Sequence, residues 1–89
     1  ELNSNVIGFS LTPNPGDGHF TIGIDLKKST AATVMISDIA GRVCYNKSTL
    51  LTEGHNNFPV DVSQLPSGIY IIKLTTSSGV LHKRVEIVR

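Results

Sequence analysis

An all-β fold, an antiparallel immunoglobulin-like β-sandwich of about seven strands, is what this sequence predicts. Three observations lead there. Turn-forming residues recur about every ten positions, as expected of short strands in a sandwich. The runs between them are rich in Val, Ile, Thr, Phe and Tyr, which suit a pleated, half-buried surface. Within those runs apolar and polar residues alternate with period two, and no window carries a 3.6-residue stripe.

Taken in chain order, strands are expected near 6–11, 19–26, 32–38, 42–49, 55–62, 69–76 and 80–88. In the second, Phe20, Ile22, Ile24 and Leu26 alternate with Thr21, Gly23 and Asp25, so the first set faces inward. Val34 and Ile36 do the same in the third strand, and Phe58, Val60 and Val62 in the fifth. Tyr70, Ile72 and Leu74 share a face in the sixth, as do Val85 and Ile87 in the last. Pro13-Asn14-Pro15 enforces a rigid extended kink, because each proline fixes its own φ and restricts the residue before it. Gly16-Asp17-Gly18 reads as a hairpin turn. Asp38-Ile39-Ala40-Gly41 supplies another, with a glycine able to take positive φ, and Leu65-Pro66-Ser67-Gly68 is expected to do likewise before the sixth strand. No helix is expected beyond a turn near Ser63-Gln64-Leu65.

Eighty-nine residues suffice for one domain. At ordinary stability per residue it should be worth about 4–13 kcal/mol, so one core defect could unfold it. Residues 1–10 read as the end of an upstream linker with a possible first strand, and 11–89 as the domain proper. An opening Glu in place of Met suggests a piece cut from a longer protein. A net charge of +1, with eight basic residues scattered from Lys27 to Arg89, gives no footprint for nucleic acid. No apolar run approaches the ~20 residues of a membrane-spanning helix. The single Cys44 excludes an intrachain disulfide, and its strand context suits a small packed side chain better than a reactive thiol.

Chemistry is hard to find. His19, His55 and His82 lie too far apart in sequence for a metal-ligand rhythm and are expected to be exposed. No motif pairs a nucleophile with a positioned base. Gly16-Asp17-Gly18 precedes a strand, where a phosphate-cradling loop would precede a helix. Phe9, Phe20, Tyr45, Phe58 and Tyr70 sit at apolar strand positions and belong to a core. No catalytic residue, cofactor or metal is expected.

The turns themselves, in their order, carry more. Pro13-Asn14-Pro15, Asp38 with Gly41-Arg42, Leu65-x-x-Gly68-Ile69-Tyr70 and the terminal Lys83-Arg84-Val85-Glu86-Ile87-Val88-Arg89 succeed one another at plausible spacing. In this the chain resembles the C-terminal sorting domain, type A, of the Bacteroidetes type IX (Por) secretion system. The resemblance implies a domain at the end of a larger exported cargo, in the periplasm during transit and then at the cell surface or outside. It implies two partners besides the cargo in the same chain: an outer-membrane translocon that recognises the folded domain, and a sortase-like surface protease that removes it. Lys83 to Arg89 would be the handle, a terminal strand at or near a sheet edge whose backbone could accept a partner strand while Lys83, Arg84 and Arg89 steer the encounter. Self-association through that edge is a further expectation. A plain immunoglobulin-like adhesive or spacer module beside a catalytic domain is the alternative.

Overall fold

The computed structural model describes residues 5–12 and 16–88. Seven strands run β1 (Val6–Thr12), β2 (His19–Leu26), β3 (Thr30–Asp38), β4 (Val43–Leu51), β5 (Gly54–Asp61), β6 (Gly68–Thr76) and β7 (Gly79–Ile87). All named pairs are antiparallel, and they form a three-stranded sheet ordered β1-β2-β5 and a four-stranded sheet ordered β4-β3-β6-β7. No helix occurs among the described residues. This is the expected sandwich, with strand ends within about two residues of expectation, as is usual where strand ends are defined by hydrogen bonding.

The alternating residues meet between the sheets. Ile22, Ile24, Val34, Ile36, Ile72, Leu74, Val85 and Ile87 are all but fully buried, and Phe20, Val60, Val62 and Tyr70 complete the layer. Each inward set belongs to a strand of one sheet and packs on its counterpart from the other, so apolar area leaves water from both sides. Phe9, Tyr45 and Cys44 are only partly buried and pack at the margin of this core. Two irregularities were not visible in the sequence. Ile7 bulges between Val6 and Gly8 and is left exposed, and the β3–β4 register slips between Ile36 and Ser37, opposite Cys44.

One expected turn is different. Leu65–Gly68 is no hairpin: it carries the chain from β5 in one sheet to β6 in the other. Gly68 is the first residue of β6, paired with Ile87, and it is not among the positive-φ glycines. A short Gly-containing segment between two strands looks the same whether it reverses within a sheet or crosses between sheets. Only the strand order separates the two.

The β1–β2 connection is a hairpin that makes a detour. Thr12 pairs with Thr21 in the first sheet, yet Gly16 bridges Ile87 of the second, in parallel. Gly16 N–H donates to the Glu86 carbonyl (3.1 Å), and Val88 N–H donates to that of Gly16 (2.8 Å). The expected kink at Pro13, Asn14 and Pro15 lies outside the described residues. Beyond it, Gly18 has φ +108° and accepts a hydrogen bond from Val62 N–H at 2.7 Å. A Cβ on Gly18 would stand 2.6 Å from Ser63 Cα and 2.9 Å from Val62 O, both backbone atoms that cannot swing aside. Gly18→Ala is therefore expected to cost more than about 1 kcal/mol, or roughly 4–8 °C of Tm per kcal/mol in a domain of this size, measured by thermal melting.

Candidate recognition surface

The terminal strand was expected at an edge, and β7 is the edge of the four-stranded sheet. Its residues do not form one uniform handle. Val85 and Ile87, each about 1% exposed, belong to the core. Alternation then puts Lys83, opposite Ile72, on the inward side, while Arg84 and Glu86, opposite Ile71 and Ile69, face outward. Lys83 lays its ammonium over the Phe9 ring of the other sheet, 5.9 Å from the centroid, and shields that margin of the core. The adjacent basic pair is thus split between two environments. Val88 is half exposed, and Arg89 lies outside the described residues.

The free edge is also shorter than the strand. Bonds from Gly16 occupy the outward backbone at Glu86 and Val88, leaving the open stretch nearer Val80 and His82. The opposite edge, β4, has an equivalent guard. Lys47 pairs with the fully buried Val34, so its stem starts on the core-facing side. Inward-pointing lysines in the middle of both edge strands oppose the addition of a further strand, since docking would trap a charge against apolar neighbours. This argues against self-association through β7.

The other motif residues hold turns in shape. Asp38 closes the β3–β4 hairpin: its carboxylate accepts from Ala40 N–H (3.0 Å), Arg42 N–H (2.9 Å) and Arg42 Nε–H (3.2 Å). Gly41 N–H donates to the Asp38 carbonyl (2.9 Å), and φ +91° at Gly41 is what the reversal needs. The backbone N–H of Arg42, foremost among these donors, holds the Asp38 carboxyl below the usual range. At the crossover, Leu65 packs on the core and Tyr70, 4% exposed, sends its hydroxyl back to donate to the Pro66 carbonyl at 2.7 Å. That is the tyrosine corner of immunoglobulin-like sandwiches. The Leu-x-x-Gly-x-Tyr spacing is therefore structural: Leu65 anchors the crossing and Tyr70 ties its far end.

All three histidines are exposed, as expected, but two hold partners that the sequence did not reveal. His19 lies between Asp17 (3.1 Å) and Asp61 (3.4 Å). His55 Nδ1 meets Asp25 at 2.5 Å across β2–β5, and its Nε2 meets the Asn57 carbonyl oxygen at 3.0 Å. Both ring nitrogens of His55 thus face side-chain oxygens, an arrangement that favours the protonated ring. Its pKa is raised, chiefly by the Asp25 bond and then by Asn57. No cluster of three metal-ligating groups occurs among the described residues.

Comparison with known families adds what geometry cannot. Residues 10–88, nearly the whole chain, match the family described as the secretion system C-terminal sorting domain. The chain belongs to this family. Its role is that of a type IX secretion sorting signal, implying engagement with that system and export toward the cell surface or outside. Comparison with curated proteins finds no match. The matched span runs through the Asp38 hairpin, the Tyr70 corner and β7. No helix of the described residues is long and apolar enough to cross a membrane.

Two measurements check this account of the sorting domain. Tyr70→Phe, which keeps the ring and removes the donor, should cost about 1 kcal/mol and lower Tm by roughly 4–8 °C. The titrations have opposite signs. The stabilisation from His55 is whole below its ordinary pKa of 6.5 and disappears as pH rises through its raised folded value. That from Asp38 is whole above 3.8 and disappears as pH falls through its lowered value. In Tm–pH curves, His55→Gln should flatten the neutral limb and Asp38→Asn the acid limb.

Proposed function

We propose that this domain is an address label: the translocon reads its folded surface, and a sortase-like surface protease then cuts it from the cargo. The observation that carries this reading is the family match across residues 10–88. Features of the fold support it. Protected edges suit a domain that must cross the periplasm without pairing with other strands. Labels need a rigid surface, and the Asp38 and Tyr70 bonds fix the two turns beside the four-stranded sheet.

The contacts of Asn5 favour a cut upstream of it. Asn5 accepts from Lys27 N–H through its carbonyl (3.0 Å), accepts from Lys28 N–H through its side chain (2.9 Å), and donates to the Lys28 carbonyl (3.1 Å). A protease needs extended, accessible chain, and Asn5 and β1 after it are bound into the sandwich.

The experiment fuses residues 1–89 to a periplasmic reporter in a host with a working type IX system and in one without it. The reporter should reach the surface only in the first host. Mass spectrometry of the released fragment should find Asn5 still attached. A reporter that stays in the periplasm favours the spacer reading, and one that reaches the surface with the sandwich uncut overturns the cleavage step alone. Truncating from Lys83 onward is a poor test, because it also removes Val85 and Ile87 from the core.

A further inference from the structure

The outer face of the four-stranded sheet is not uniformly polar, as the solvent face of an antiparallel sheet ordinarily is. The outer face of the other sheet keeps to the rule, with Ser10, Gly23, Asp25, His55 and Asn57 along it. Beside the Asp38 hairpin, by contrast, lies a shallow groove. Half-buried Met35 and Ile71 line it. So do Ile39 and Val43, 77% and 50% exposed, together with Lys73 and His82. Met35, Lys73 and His82 form one cross-strand row over β3, β6 and β7.

The charge balance of this groove is one-sided. Its only acid is Asp38, whose carboxylate is already engaged by Arg42 and the Ala40 amide. The Lys73 and His82 side chains have no hydrogen-bond or ion-pair partner among the described residues. Arg84 and Glu86 lie farther along the same face and carry opposite charges, so they leave the balance unchanged. An apolar lining with an uncompensated ammonium at its rim fits a protein segment that offers an apolar side chain and a carboxylate.

We propose that this groove is where the export machinery docks, through a short acidic–apolar segment of its own. An apolar side chain would lie over Met35 and Ile71 against Ile39, and a carboxylate would meet Lys73. The inference rests on the sorting reading and assigns it a surface distinct from the backbone edge of β7. A second copy of this chain is a poor occupant. Four of its carboxylates, Asp17, Asp25, Asp38 and Asp61, are already bonded, exposed Glu53 stands in a turn with no large exposed apolar side chain adjacent in sequence, and a second copy would bring the same cationic rim.

The test uses the full-chain reporter fusion in the type IX host. Ile39→Asp with Lys73→Glu should lower surface display at least about tenfold, the scale of one lost docking contact. Lys73→Arg should retain display, and so should Leu50→Asp, a change on the same sheet outside the groove at a residue 79% exposed. Thermal melting of each variant reports the fold. If the double variant melts early, Ile39→Asp alone, at the hairpin tip, serves in its place. Wild-type display with folded groove variants displayed equally well overturns the groove and leaves the sorting reading intact. Failure of the wild-type fusion to reach the surface overturns both.

Discussion

The sandwich depends on being closed by its last strand. Val85 and Ile87 fill the core at the β7 edge, and Lys83 covers Phe9 where the two sheets part. Gly16 then bonds to β7 from the other end of the chain, so the first connection and the final strand hold one another. In a domain worth about 4–13 kcal/mol, losing two fully buried aliphatic side chains, at about 2–5 kcal/mol for each large-to-small change, approaches the whole stability. The terminal segment is thus a structural element first, and whatever reads the domain reads a surface this strand helps to build.

The residues that shape the turns make sense in the same terms. Asp38, Gly41 and Arg42 are needed for a hairpin whose carboxylate satisfies two backbone amides and a guanidinium. Leu65 and Tyr70 are needed where the chain changes sheets, a place where backbone groups lack a strand partner and the Tyr70 hydroxyl supplies one. These residues shape a surface without having to touch a partner. The apolar side chains beside them on the hairpin, Ile39 and Val43, are presented to solvent.

Charge is used sparingly and locally. Four aspartates are committed to histidine, arginine or backbone partners within the domain, mostly at turns or across the β2–β5 pair. Such exposed pairs add little stability each, but they leave the outer surface with few unbalanced charges. Against that background, Lys73 beside an apolar lining stands out. Inward-pointing Lys47 and Lys83 serve a different purpose, keeping both edges of the larger sheet from recruiting another strand.

By itself the sequence determined the strands, their inward faces and the family. Period-two alternation is local, and residues two apart share a face whatever the strand pairs with. The inward positions of β2, β3, β5, β6 and β7 could therefore be read directly, and so could the Asp38 hairpin. Tertiary structure alone decided that Leu65–Gly68 crosses between sheets, that Lys83 and Arg84 part company, that Asp25 meets His55, and that Gly16 covers the end of β7. Each of these depends on strand order and register, which bring together residues far apart in the chain. A one-residue change of register would reassign every such contact while leaving the local pattern untouched.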